Sequence, residues 1–136
     1  MANTMYNSGK TAIFSTLNLL TADIKCALVD VDDYTPNFAT HAVLNDVPGA
    51  AIVATSGNLA GKTVTSGVFD ANDFSFPGVS GDQSEALLYY HDTGNPLTST
   101  LLCLCDTATG LAVTPDGNNI NVTIGSHIFA MGTPAP

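Results

Sequence analysis

Short apolar runs alternate with polar turn segments along most of the chain. The two strongest runs, residues 85–91 and 98–105, are largely apolar. Runs of this kind are typical of strands buried on both faces, either within one core or against a neighbouring subunit. Residues 92–96 between them read Asp-Thr-Gly-Asn-Pro, a composition that favours a turn. We therefore predict that the two strands pair as an antiparallel hairpin.

Weaker strand signals occur at residues 25–31, 51–55, 63–65, 74–76 and 120–124. Gly, Pro, Asn and Asp recur between these segments at the spacing of short strands and turns. Pro77 directly follows one segment, so that strand is predicted to end there or to lie at a sheet edge. Residues 120–124 alternate apolar and polar side chains, which indicates a half-buried strand.

Helix signals are few. Residues 11–20 are predicted to form a short N-terminal helix, and residues 40–46 a second one. Thr40 is the expected N-cap of the second helix, and Pro48 and Gly49 lie beyond its predicted end.

Together these elements predict a mainly β chain. We expect a single-domain antiparallel β-sandwich or barrel-like fold with one or two short helices. Within the 136 residues we expect an N-terminal arm or short helix at 1–20, a β-rich domain at 21–131 and an extended tail at 132–136. The strand order stays open, because a jelly roll and an immunoglobulin-like sandwich share this pattern of short strands.

The charge balance argues against two classes of partner, nucleic acids and anionic membranes. Three lysines and no arginine stand against 12 acidic residues, which gives a formal net charge of -9. Nucleic-acid binding needs a patch of Lys or Arg to neutralise phosphates, so we expect no nucleic-acid partner. An anionic membrane surface is disfavoured for the same reason, and no apolar stretch approaches the roughly 18 to 20 residues of a membrane span.

The three cysteines are expected to be free thiols. Cys103 and Cys105 are two positions apart, which places both on one face of a strand and too far apart to bridge comfortably. Buried thiols made in a reducing cytoplasm are the favoured interpretation, and a bridge from Cys26 is the alternative. A zinc site that uses His91 with Cys103 and Cys105 is conceivable across the hairpin, but two core thiols explain the pattern more simply.

One acidic run suggests a cation. Asp30, Asp32 and Asp33 place carboxylates at a spacing that suits calcium. The glycine and the distal glutamate of an EF-hand are missing, so a solvated strand end is the favoured interpretation. A weak structural ion is the alternative.

Two short segments that suggest catalytic motifs do not match the full motif. Gly61-Lys62-Thr63 lacks the first glycine of a phosphate-binding loop, and a β-like stretch follows it where a helix is required. No serine lies in a nucleophile elbow. We therefore expect a protein that is not an enzyme, with no catalytic residue, no cofactor and no metal. A Ser/His/Asp triad that assembles only in space is the remaining alternative.

An ordered set of short segments carries a resemblance. The set is IKCALVD (24–30), YT (34–35), ATH (39–41), LNDVP (44–48), VATSG (53–57), LAGKT (59–63), GVFDA (67–71), EALL (85–88), CDTATGLAVTP (105–115) and the strand at 118–124. Over residues 5–130 it resembles a family of small tailed-bacteriophage virion proteins. The C-terminus differs, because residues 125–136 replace an aromatic, aspartate-containing segment and a short basic end. No catalytic signature is among the shared motifs.

The resemblance implies a particle component made in the host bacterial cytoplasm. We expect a capsid decoration (cement) protein on the outer surface of the head, forming a homotrimer where subunits of the major capsid protein meet. The alternatives are a tail, fibre or head-to-tail connector component, or a module that binds the host surface. The candidate capsid-contact arm is the N-terminal segment, with apolar residues Ile13, Phe14, Leu17, Leu19 and Leu20. Ordinary core packing of these five residues is an equal alternative.

Overall fold

A computed structural model describes residues 3–130 of the chain. Within that range the molecule has one α-helix and ten strands arranged in three antiparallel sheets. This confirms the predicted mainly β, sandwich-like fold class. The predicted tail at 132–136 lies outside the described residues.

The strands are β1 (Thr4–Met5), β2 (Ile24–Val29), β3 (Ile52–Thr55), β4 (Thr63–Thr65), β5 (Val68–Asp70), β6 (Phe74–Phe76), β7 (Ala86–His91), β8 (Thr100–Cys105), β9 (Ile120–Val122) and β10 (Phe129–Ala130). The helix is α1 (Asn7–Ser15), and Leu44–Asp46 and Gly49–Ala51 form two single-turn 3-10 helices. The strands run in the order β1-β8-β7-β2-β3 in the main sheet, β10-β5-β4 in the second and β6-β9 in the third.

The predicted hairpin is the centre of the main sheet. Strand β7 pairs antiparallel with β8, with Tyr89 opposite Cys103, and pairs on its other side with β2. Because successive side chains of a strand point to opposite faces, Tyr89 and Tyr90 enter two different core clusters. Both tyrosines are buried, which confirms that these strands are covered on both faces.

The two core clusters lie on opposite faces of the main sheet. One face packs against the two smaller sheets, through Phe69 of β5, Phe76 of β6 and Val122 of β9. The other face is covered by the N-terminal segment and the loop after β2, through Tyr6 and Tyr34. The cover comes from this chain, so a neighbouring subunit is not needed to explain the apolar runs.

The strand predictions agree with the structure wherever a run is long or bounded by a clear turn. Residues 63–65 and 74–76 match β4 and β6 at both ends, and the other five predicted strands overlap β2, β3, β7, β8 and β9. Strands β1, β5 and β10 were not predicted. Each has only two or three residues, and β1 and β10 pair with strands far away in the sequence.

Both helix predictions need correction. The N-terminal helix spans Asn7–Ser15 rather than residues 11–20, because Asn18 forms a turn in which its side-chain oxygen accepts the N–H of Leu20. The predicted helix at 40–46 is reduced to the 3-10 turn Leu44–Asp46. Asn37 Oδ1 accepts the N–H groups of Ala39 and Thr40, and this local turn replaces the helical start expected at Thr40.

Candidate functional site

The N-terminal segment is fastened to the main sheet at its start. The N–H of Tyr6 donates to the carbonyl of Leu102 at 2.9 Å, and the N–H of Asn7 donates to the carbonyl of Phe38 at 2.8 Å. The Tyr6 hydroxyl lies inside the molecule, 2.7 Å from the Tyr34 hydroxyl. Burial raises the pKa of Tyr6, so this hydroxyl stays neutral and serves as a structural hydrogen-bonding group.

The five apolar residues of the candidate arm divide between core and solvent. Ile13 and Leu17 are half-buried against the core, and Leu19 is buried in it. Phe14 and Leu20 face outward, with 73% and 50% of their surfaces exposed. The segment is therefore partly a core element. Ile13, Leu17 and Leu19 pack in the core, as the alternative of ordinary core packing predicts, and Phe14 and Leu20 remain exposed at the surface.

Two other large apolar side chains are exposed among residues 3–130. Leu97 follows the turn between β7 and β8 and is 63% exposed, and Val64 lies in β4. Strand β4 is exposed along its whole length and joins β5 by a two-residue turn at Ser66 and Gly67. Single exposed apolar residues are common on proteins, so Phe14 and Leu20 stand out through their shared segment rather than through exposure alone.

The acidic run gains a member from a distant loop. Carboxylate oxygens of Asp30, Asp33 and Asp82 all lie within 4.8 Å of one another. Asp30 is buried, and its Oδ1 accepts the N–H of Asp32 at 2.9 Å. Asp30 and Asp33 are visible in the sequence as part of one acidic run, whereas Asp82 is not, because no local pattern brings the loop before β7 to the end of β2. Asp32 is not part of the group.

Two lysines have partners away from this acidic group. Lys25 forms an ion pair with Asp92. Lys62 donates to the carbonyl of Ala22 and to Asn58 Oδ1. Neither Lys25 nor Lys62 therefore pairs with the acidic group, and its three carboxylates repel one another.

The cysteines are free thiols, as predicted. Cys26 and Cys103 are buried, and Cys105 is half-buried on the same face of the sheet. Burial raises the pKa of both the Cys26 and the Cys103 thiol, which keeps them protonated and poorly nucleophilic. The zinc alternative fails within the described part of the chain, where His91 lies opposite Thr100 and does not join the two cysteines of β8.

Two adjoining clefts open between the loop after β8 and strand β9. Their volumes are about 320 Å³ and about 300 Å³. Both are lined by Leu87, Ala108, Thr109 and Val122, so these residues separate one cleft from the other. No motif in the sequence predicts this site. Its one local signal was the high content of Thr and Asn between residues 107 and 123.

Among residues 3–130 no helix is both long enough and apolar enough to cross a membrane. In comparisons with known proteins, no protein-family model matches the sequence, and no curated protein matches it.

Proposed function

We propose that this chain is a bacteriophage virion structural protein that decorates the assembled head. In this role it binds the major capsid protein from outside, as a homotrimer, and acts as a cement. The resemblance over residues 5–130 motivates the proposal.

The observation that carries it is the exposure of Phe14 and Leu20 on a segment that is otherwise anchored. Tyr6 and Leu19 are buried in the core, so the backbone that carries the exposed side chains is anchored near both of its ends. A preorganised contact loses little conformational entropy on binding. Burying one such side chain contributes roughly 1.5–3 kcal/mol, and a few contacts of this size in the centre of an interface provide most of its affinity.

The mechanism is stabilisation by mass action. A protein that binds the assembled shell but not its free subunits lowers the free energy of the shell in proportion to RT ln(1 + [L]/Kd). The net charge of -9 supports a position on the outside of the shell, because a surface lined by acidic residues would repel the packaged genome.

The first experiment is to count copies per particle. Quantitative mass spectrometry of purified virions would compare this protein with the major capsid protein. A ratio near one is expected for decoration of the whole shell, and removal of the protein should then lower the temperature at which the shell opens. A ratio of a few per cent would contradict decoration and indicate a tail or connector component. Absence from particles would overturn every virion role.

The second experiment tests the contact residues. Purified Phe14→Ser/Leu20→Ser protein would be titrated onto undecorated, expanded capsids beside the wild type. Loss of two apolar contacts of the stated size should weaken binding at least tenfold. Leu97→Ser is the matched control, because the exposure of Leu97 lies between those of Phe14 and Leu20 but Leu97 lies in the loop between β7 and β8. Equal weakening by the control would show that the N-terminal segment is not the contact.

A further inference from the structure

The two clefts beside β9 share a preformed apolar floor. Leu87 of the main sheet and Val122 of β9 line both clefts, and Leu28 of the main sheet adds to the floor of the first. All three are buried members of the core cluster. A floor built on packed strands keeps its shape without a ligand, so binding there does not require the site to be ordered first.

The walls of the clefts are polar but almost uncharged. The uncharged polar side chains of the first cleft belong to Thr109, Thr114, Asn118, Asn119 and Asn121, and those of the second to Asn3, Thr107, Thr109, Thr123 and Ser126. Asp116 is the one acidic side chain, and none of the lining residues is a lysine. The second cleft also has the imidazole of the exposed His127, whose Nδ1 lies 2.9 Å from Ser126 Oγ. Phosphates, nucleotides and carboxylates would therefore find no lysine or arginine in either cleft to pair with.

Several of these polar groups are available to a ligand. The Asn3 amide already donates to Thr107 Oγ1, and Asn119 Oδ1 accepts the N–H of Gly78. Thr109 and Asn121, by contrast, are exposed, and their side chains make no hydrogen bond within residues 3–130. Thr109 borders both clefts, and Asn121 lines the larger one.

We infer that the paired clefts bind a neutral, polyhydroxylated ligand, namely a short uncharged oligosaccharide. Hydroxyl and amide side chains exchange hydrogen bonds with sugar hydroxyls, and the apolar floor accepts the C–H face of a sugar ring. Each cleft lies at the lower end of the roughly 300–1,000 Å³ typical of small-molecule sites. That size favours a sugar over an extended peptide. The inference goes beyond capsid decoration, which needs no sugar binding.

The test is a titration of the isotopically labelled chain followed by ¹H–¹⁵N NMR. The probes are maltotriose and chitotriose, two neutral oligosaccharides, and inorganic phosphate serves as the charged comparison. We expect at least one oligosaccharide to cause saturable shifts confined to the residues that line the clefts, most of them at 107–114 and 118–128, and phosphate to cause none there. Thr109→Ala and Asn121→Ala should each weaken binding roughly two- to tenfold, the value of one hydrogen bond.

The matched control is Asn45→Ala, because Asn45 is an exposed asparagine on the 3-10 turn that contacts the opposite end of the hairpin. It should bind the oligosaccharide as the wild type does. Absence of saturable shifts with both sugars would overturn the inference, as would shifts scattered over the surface or equal weakening by the control. Saturable binding of phosphate at the same residues would contradict the neutral character of the site. Because the titration uses isolated protein, its result does not depend on whether the chain is found in virions.

Discussion

Gly9 of α1 lies directly against Leu102 of β8, so close that a β-carbon at position 9 would come within 2.8 Å of the Leu102 Cα. The carbonyl of Leu101 would be equally near. Both are backbone atoms of a central strand and cannot move aside. The missing side chain at position 9 therefore sets how closely the helix sits on the sheet, and with it the position of Phe14.

Gly9→Ala is expected to destabilise the protein by roughly 1–3 kcal/mol, the usual cost of overpacking. Alanine is more favourable than glycine inside a helix by about 1 kcal/mol. Gly9→Ala therefore lowers the stability only if the steric clash with β8 costs more than this gain. Thermal or urea unfolding of both proteins measures the difference. Gly57→Ala is the control, since a β-carbon there meets nothing within 4 Å. Similar behaviour of the two variants would show that α1 can shift away from the sheet without cost.

The turn between β4 and β5 offers a stabilising substitution. Ser66 and Gly67 have φ angles of 52° and 77°, as the two central residues of a type I′ hairpin turn require. Asparagine adopts this left-handed conformation more readily than serine. Ser66→Asn should therefore raise the free energy of unfolding by a few tenths of a kcal/mol to about 1 kcal/mol.

Ser66→Ala is the control for the turn, and it should act in the opposite direction. Alanine has no side-chain oxygen to support a positive φ, so its free-energy cost of adopting this conformation is higher. Differential scanning calorimetry of the three proteins would rank them Asn, Ser, Ala in decreasing stability. A different order would mean that the turn conformation does not limit stability at this position.

The acidic group of Asp30, Asp33 and Asp82 predicts that the protein becomes more stable when one of its three charges is removed. Asp82→Asn removes one charge from the group with Asp30 and Asp33, and the Asp82 side chain is exposed, so little packing is lost. Relief of like-charge repulsion should raise stability by a few tenths of a kcal/mol at low ionic strength. Added salt should reduce the gain, because it screens the repulsion.

Unfolding of Asp82→Asn and wild type at about 0.02 M and about 0.5 M salt would measure this effect, since screening lengths differ several-fold between them. Asp23→Asn, an exposed aspartate outside the group, is the control for the change in net charge. If the two variants gain equally, the stabilisation comes from the overall charge of -9 rather than from this cluster.

The ion pair of Lys25 with Asp92 predicts a pH dependence. The hydrogen bond from Lys25 and the one from the N–H of Gly94 lower the pKa of Asp92 in the folded chain. The stabilising effect is therefore fully present above the unfolded-state pKa, about 3.9, and is lost as the pH falls through the lower folded-state value. Asp92→Asn should be less stable than wild type at pH 7 and should approach it below about pH 3.

Melting temperatures of the wild type, Asp92→Asn and Lys25→Gln between about pH 2.5 and pH 7 would test this, since that range spans the titration of a carboxyl. Lys25→Gln removes the same ion pair from the other side and should reproduce part of the loss at pH 7. A constant difference between Asp92→Asn and wild type at every pH would show that packing rather than charge causes it.

The strands that the sequence predicts correctly are those whose signal is local. The β7–β8 hairpin has two long apolar runs and a turn between them, so neighbouring residues contain most of the information. Strand β5 has only three residues, and its Phe69 packs against Phe129 with ring centroids 5.1 Å apart. That contact joins segments about 60 positions apart, which no pattern of neighbouring residues records.

The same distinction holds for the candidate sites. Phe14 and Leu20 are visible in the sequence as apolar residues, but whether such a residue faces the core depends on how α1 docks on β8. Asp82 joins the acidic group through tertiary structure alone, and the clefts exist only because the loop after β8 lies beside β9. Side-chain chemistry can be read from the sequence, whereas the meeting of distant loops cannot.

The pairing of β1 with β8 also governs when the fold can be completed. Thr4 lies opposite Leu104, so during synthesis β1 cannot pair until the ribosome has translated β8. During that time Tyr6, which is completely enclosed in the finished molecule, lacks the part of its cover that β8 supplies. Closing a loop of roughly 100 residues then adds an entropic cost that slows the final step. Shortened chains that end before β8 are therefore expected to be substrates for proteases rather than smaller folded domains.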